Sequence, residues 1–255
     1  LKLPAGVKAH EFRSSTLLAE GLALKVAERL REAIAARGQA SLVVSGGRSP
    51  WRVSRPWSSS DLDWSKVPIS LADERWVPVE HADSNAGLLK RYLLKGRWPR
   101  RPLLASTARG QPGRSSPARP TRPWLQLPGI DVLVLGMGDD GHTASLFPGS
   151  PNLAEALDPL ASAAAGRCWR RACPPAPEHE PRPAGHRPVT ACPCRFGRCK
   201  LTTLSAALAG DEVADMPIRA FPANPVRDLL VPMSQGSAAM TNLTPDRFHG
   251  RTKLP

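Results

Sequence analysis

The chain predicts an α/β protein with a Rossmann-like, mostly parallel sheet and helices on both faces. Three observations predict it. Short, mostly apolar runs within Ser41–Ser45, Val67–Ala72 and Asp131–Leu135 alternate with longer amphipathic ones. Each apolar run leads straight into a polar loop, and two of those loops open on glycines. Strands that are apolar throughout are buried on both sides, which a parallel sheet achieves when crossover helices cover it. Ligands then bind beyond the C-terminal ends of the strands.

Taken in order, the first helix is capped by Ser14 or Ser15 and reaches about Arg37. It carries Leu18, Leu22, Val26, Leu30, Ala33 and Ile34 on one face, with Gly38 just past its end. Ser41–Ser45 is a short buried strand, broken by Gly46-Gly47. Val67–Ala72 is a second strand that ends at Asp73-Glu-Arg-Trp-Val-Pro78. A helix from about Asn85 to Leu94 carries Leu88, Leu89, Tyr92 and Leu93. Asp131–Leu135 is the third strand, a helix is expected to start near Thr143-Ala-Ser145, and Lys200–Ala209 forms a later one.

With 255 residues, 41% of them hydrophobic, the chain can bury one sizeable core. No apolar stretch approaches the roughly 18 residues of a membrane span. No signal-peptide pattern opens the chain at Leu1, so the expectation is a soluble, cytoplasmic protein with no membrane partner. A net charge of +13 and a pI near 10.4 would ordinarily point to nucleic acid. The charge is local, however. Three islands, Trp51–Ser60, Arg97–Trp124 and Gly166–Cys199, hold 16 arginines against only Glu178 and Glu180, which more than accounts for it. A nucleic-acid partner is therefore not expected, and that rival predicts steeply salt-dependent binding.

The same islands contain all five cysteines (Cys168, Cys173, Cys192, Cys194 and Cys199) and five of the seven tryptophans. They are dense in proline and follow neither the helical nor the strand period. Disordered linkers share the proline and arginine but avoid Trp and Cys. Out-of-frame translation fits better. Read one base earlier, Trp51–Trp57 permits Val-Ala-x-(Phe or Leu)-Glu-Ala-Leu, a good amphipathic helix. Read one base later, Pro177–Pro183 permits Leu-Ser-Met-Asn-Arg-Ala-Leu, and Asp228–Ser234 permits Ile-Tyr-Trp-Cys-Pro followed by a stop. The expectation is one domain over residues 1–233 interrupted at 51–60, 97–124 and 166–199, with 234–255 a read-through tail. The cysteines lack paired zinc spacing and disulfides do not suit a cytosolic chain, so no metal site is assigned.

Three constellations can carry chemistry. Ser45-Gly-Gly-Arg-Ser-Pro50 follows a strand, and Gly46 and Gly47 let backbone N–H groups turn toward an anion, with Arg48 and Ser49 as further donors. Asp73-Glu74-Arg75 lies where the second strand ends. Arg75 offers a planar fork for phosphate or carboxylate, or a salt bridge to Asp73 or Glu74. Gly138-Asp139-Asp140-Gly141-His142 is the third: His supplies a base near neutral pH, and Asp140 is the first candidate to orient it.

The run Asp131–Gly149, with the Asp73-Glu-Arg block, the Asp83-Ser-Asn85 downstream of it and the Ser45–Pro50 loop, resembles the 6-phosphogluconolactonases. That group shares a superfamily with the glucosamine-6-phosphate deaminases. The resemblance covers about Leu1–Pro50, Asp61–Gly96, Leu127–Leu160 and Lys200–Phe221. It implies hydrolysis of a phosphorylated sugar lactone with His142 as base and no cofactor, metal or organic. It also implies phosphate contacts from Gly46–Ser49, Arg75 and Lys200, which closes a Gly-x-x-Lys, with Asp73 a further substrate-binding residue. The family's Arg-Leu-Thr segment is absent; Ala176–Pro183 stands in its place, and its role passes to neither Arg182 nor Arg187. Isomerisation or deamination is the alternative in the same superfamily, but it calls for an acid a few positions after His142, where Thr-Ala-Ser-Leu-Phe-Pro has none. A chain too damaged to catalyse is the other.

Overall fold

The computed structural model describes residues 7–46, 61–75, 77–92, 127, 129–151, 153–157, 165–168, 178–181, 189–193, 198–220 and 227–232. Strand β1 (Val7–Phe12) precedes helix α1 (Ser15–Arg37). Ser14 caps α1 from an extended backbone, its hydroxyl accepting the Leu17 N–H at 3.1 Å. Gly38, left-handed at φ 77°, ends it by donating its N–H to the Ile34 carbonyl at 2.7 Å. Leu18, Leu22, Val26, Leu30 and Ala33 are buried, as their spacing predicts. Complete burial of a leucine such as Leu22 or Leu30 stabilises by about 1.5–3 kcal/mol.

Strands β2 (Leu42–Val44), β3 (Ile69–Leu71) and β5 (Val132–Val134) lie inside the three predicted apolar runs, and helix α2 spans Asn85–Tyr92. Alternate side chains sort to opposite faces of the sheet. Leu42, Val44, Ile69, Leu71, Val132 and Val134 pack with α1 and with Ala86 and Leu89 of α2. Val43, Leu133 and Leu135 face the other way, against Leu127, Ile130 and Ala144.

Three further strands, β6 (Ala165–Cys168), β7 (Glu178–Pro181) and β8 (Val189–Pro193), fall in or at the edge of the third island, where the sequence pattern predicts none. Helix α3 (Leu153–Leu157), helix α4 (Arg198–Ala209) and strand β9 (Arg227–Pro232) complete the order. The main sheet runs β1-β9-β8-β5-β2-β3, and every pairing in it is parallel. Two-residue strand β4 (Glu74–Arg75) pairs antiparallel with β7, and β7 with β6, in a second sheet the sequence does not announce. Among the described residues no helix is long and apolar enough to cross a membrane.

Strand order reverses between β2 and β5: from β2 the chain moves outward to β3, whereas β8 lies on the far side of β5. That boundary is clamped at both ends. At the N-terminal end, Ser41 N–H donates to Asp131 at 2.8 Å, Asp131 N–H donates to the Ser41 hydroxyl at 2.9 Å, and Arg37 pairs with the same carboxylate. At the C-terminal end, Ser45 N–H donates to the Val134 carbonyl at 2.9 Å and Gly136 N–H to the Ser45 hydroxyl at 3.1 Å. Such a switch point leaves a crevice beyond the strands' C-terminal ends, between loops that diverge from neighbouring strands.

Candidate active site

Gly46, at the end of β2, and the glycine-bearing loop after β5 lie at that boundary. After β5 the chain turns through Gly136–His142, closed by Gly138 N–H donating to the His142 carbonyl at 2.7 Å and by Thr143 Oγ1 donating to the Gly136 carbonyl at 2.8 Å. Within it His142 Nδ1 lies 2.5 Å from Asp140 Oδ1, and the same oxygen accepts the His142 N–H at 3.1 Å. The imidazole is about four-fifths buried, its ring 4.7 Å from that of Phe147. Gly138 is required here by close approach: a Cβ at that position would sit 1.9 Å from His142 Nδ1 and 2.5 Å from Asp140 Oδ1.

The expected helix start at Thr143-Ala-Ser145 is not formed. Residues 143–146 make a tight turn, with Leu146 N–H donating to the Thr143 carbonyl at 3.0 Å and Ala144 at φ 48°; the next helix begins at Leu153. The Thr143 hydroxyl is drawn back to Gly136, and Pro148 biases the residue before it away from helical backbone.

Burial pushes the Asp140 carboxyl up, but the hydrogen bonds from the His142 ring and backbone, with the nearby imidazole charge, outweigh it and hold the group below the usual Asp value. A carboxylate with a lowered folded-state pKa contributes stability above its unfolded value near 3.8 and loses it as pH falls through the folded value. Asp140→Asn is therefore expected to flatten the fall in Tm below pH 3.8, read from thermal melts between neutral and strongly acid pH. A Tm–pH profile parallel to that of the unsubstituted chain would contradict this.

The Asp73-Glu74-Arg75 block divides its labour. Asp73 is only 3% exposed; its carboxylate accepts the Ser145 hydroxyl at 2.8 Å and the Gly46 N–H at 3.4 Å, joining the two glycine loops. Glu74 is buried under the N-terminus of α2, where it accepts the backbone N–H groups of Arg75, Asn85 and Ala86 at 2.7, 2.8 and 2.8 Å and the Ser84 hydroxyl at 3.1 Å. This is a helix cap delivered from a strand 11 residues upstream. Burial pushes the Glu74 carboxyl above the usual Glu range, against the pull of those donors. Arg75 sends Nη1 to the Asp83 carbonyl at 3.3 Å and to the Asn85 amide oxygen.

Gly46 stands at the end of β2 beside Asn85, while Gly47, Arg48 and Ser49 lie outside the described residues. Lys200 falls in α4, three residues before Thr203, whose hydroxyl donates to the Asp139 carbonyl at 3.1 Å. The Gly136–His142 loop is also held by Ile218 N–H, which donates to the Gly141 carbonyl at 3.0 Å. Arg219 fastens that segment to the end of α4 through the carbonyls of Ala206 and Ala207, and to the chain just past it through the Glu212 carbonyl. The structure thus gathers Asp140, His142, Gly46, Asp73 and Arg75 at one crevice. It adds Asn85, Ser145 and Thr203 as polar supports, of which only Asn85 and Ser145 had a signal in the sequence, as polar residues beside the motifs. Among the described residues no group of three or more His, Cys, Asp and Glu side chains is placed to hold a metal ion.

A parallel sheet with an Asp–His pair and an acid-acid-Arg turn at its switch point has the layout of an α/β enzyme acting on a small molecule, and comparison with known proteins gives the family. Residues 13–170 match the family model described as "Glucosamine-6-phosphate isomerases/6-phosphogluconolactonase", and the chain belongs to this family. Within it the chain stands with the lactonases. It is 51% identical to a 6-phosphogluconolactonase of Pseudomonas putida, over 89% of this chain and 93% of the relative. It is 47% identical to the 6-phosphogluconolactonase of Pseudomonas aeruginosa, over 87% and 93%. A crystal structure of a 6-phosphogluconolactonase from Shewanella baltica superposes with a TM-score of 0.76 at 32% identity, covering 90% of this chain and 98% of that one.

Proposed function

We propose that the chain hydrolyses 6-phospho-D-glucono-1,5-lactone to 6-phosphogluconate, a step of the oxidative pentose phosphate pathway. The observation that carries this reading is the Asp140–His142 pair, 2.5 Å apart at the switch point between β2 and β5. Asp140, ionised at neutral pH, keeps the proton of the neutral imidazole on Nδ1 and leaves the Nε2 lone pair as the base. His142 takes a proton from water as the water oxygen attacks the lactone C1. The tetrahedral intermediate collapses with cleavage of the bond from C1 to the ring oxygen, and His142 returns the proton to that oxygen. Backbone N–H groups of the glycine loops hold the oxyanion. Arg75, Lys200 and the Gly46–Ser49 loop grip the phosphate, while Asp73 acts from behind by tying Gly46 to Ser145. No metal or cofactor enters these steps.

The absence of an acid between His142 and Pro148, with Phe147 against the imidazole, favours the lactonase over the deaminase reading. We place the reaction in the cytoplasm; a phosphorylated, charged substrate does not cross a bilayer unaided and is consumed in the compartment where it is made. Proton release from the lactone tests the reading: turnover above the spontaneous rate is expected, and none would contradict it.

We also read residues 51–60, 97–124 and 166–199 as stretches translated out of frame between compensating frameshifts, in a domain ending near residue 233, with 234–255 a read-through tail. The proline- and arginine-rich composition of these stretches and the alternative-frame readings at 51–57 and 177–183 support this. Peptide mass mapping of protein expressed from the native gene is expected to yield the alternative-frame peptides at these positions. Peptides matching Trp51–Ser60 and Gly166–Cys199 as written would contradict it.

A further inference from the structure

We propose that Asn85 is the residue that aims the Arg75 guanidinium, and that through this aim the site distinguishes a phosphorylated lactone from its unphosphorylated counterpart. The inference rests on Arg75 being a phosphate contact and goes beyond it to what makes that contact selective.

Asn85 is fully buried at the first turn of α2. Its amide orientation is fixed at both ends. Nδ2 donates to the Asp73 carbonyl at 2.9 Å, so Oδ1 must face the other way, where it accepts from Arg75 Nη1. Its own backbone N–H is held by Glu74 at 2.8 Å, so the side chain starts from a fixed point. With the Asp83 carbonyl 3.3 Å from the same Nη1, the guanidinium plane is oriented before any ligand arrives. A flexible arginine would lose that freedom on binding, and preorganisation removes the cost.

The acceptor's neutrality is the second half of the argument. An amide oxygen orients a guanidinium without cancelling its charge, whereas a carboxylate there would pair with it and weaken its pull on a dianion. Asn85 also borders the anion loop: a Cβ at Gly46 would come within 1.8 Å of Asn85 Oδ1. That closeness is steric and survives Asn85→Asp, so the substitution acts on the Arg75 fork and leaves the glycine turn in place.

Asn85→Asp keeps the shape, turns the neutral acceptor into a carboxylate and gives up the Nδ2 bond to the Asp73 carbonyl. Steady-state kinetics with 6-phosphogluconolactone and gluconolactone should show a roughly 10- to 100-fold loss of kcat/KM for the phosphorylated substrate, carried by KM. The unphosphorylated lactone should change by no more than about twofold. In an Arg75→Ala background the same substitution should add nothing, because the effect passes through Arg75. Retained preference, equal losses on both lactones, or additive losses with Arg75→Ala would overturn the proposal. Should Asn85→Asp fail to melt cooperatively, Asn85→Ser, which removes the acceptor without adding charge, takes its place with the same expectations. Calorimetric binding of 6-phosphogluconate and gluconate separates the inference from the reaction. Preference for the phosphate in the unsubstituted chain, lost on substitution, upholds it even without turnover. No preference in the unsubstituted chain overturns it together with the role of Arg75.

Discussion

His142→Ala is expected to lower kcat for lactone opening by about 10²–10⁴-fold, the range that a positioned general base contributes, while leaving KM and the fold little changed. The ring meets Phe147 and Asp140 and is about one-fifth exposed, so its removal trims one edge of the loop and not the core. Turnover is measured by proton release at constant pH, and the fold by a thermal melt. Near-normal kcat in a well-folded His142→Ala protein would remove the imidazole from the mechanism. A large loss in KM alone would make it a binding group.

Gly138→Ala is expected to cost nearly as much without touching a functional side chain. Its Cβ would fall 1.9 Å from Nδ1 and 2.1 Å from Cε1 of His142, and 2.5 Å from Asp140 Oδ1, so the pair cannot stay where it is. Misplacing a reacting group by about 1 Å can cost about 10²-fold in rate, and kcat should fall by that order. The loop is otherwise tied by the bonds to Thr143, Thr203 and Ile218, so Tm should fall by only a few degrees. Wild-type kcat in Gly138→Ala would mean that the observed Asp140–His142 geometry is not the working one.

Much of this architecture is legible in the sequence where local rules and tertiary demands agree. Helix α1 has a serine cap, an unbroken apolar face and a glycine stop, and it forms between those marks. The three buried strands are short apolar runs that no helix could use as well. The loops after β2 and β5 declare themselves through glycine and charge following an apolar strand. Legibility fails where structure depends on distant partners. Strand β1 is paired with β9, 220 residues away in register, and half its side chains are polar. Strand β4 is two residues long and exists through its antiparallel neighbour β7. The turn at Thr143–Leu146 defeats the helix expectation because one hydroxyl is drawn to Gly136.

The site divides in the same way. Asp140 and His142 are two residues apart, so their pairing can be read directly. The Asp73–Ser145 hydrogen bond spans 72 positions and becomes visible only when the ends of β3 and β5 are brought together. Glu74 illustrates the reverse case, an acid inside a charged motif that serves as a helix cap and not as a ligand or ion-pair partner for Arg75.

The most direct test of the central claim is the rate of 6-phosphogluconolactone opening by the purified, mass-verified chain, followed as proton release at neutral pH against the buffer rate. The account predicts catalysed opening that saturates with substrate, prefers the phosphorylated lactone and falls by about 10²–10⁴-fold in His142→Ala. A cooperatively melting protein that leaves the lactone to open at the buffer rate would contradict it.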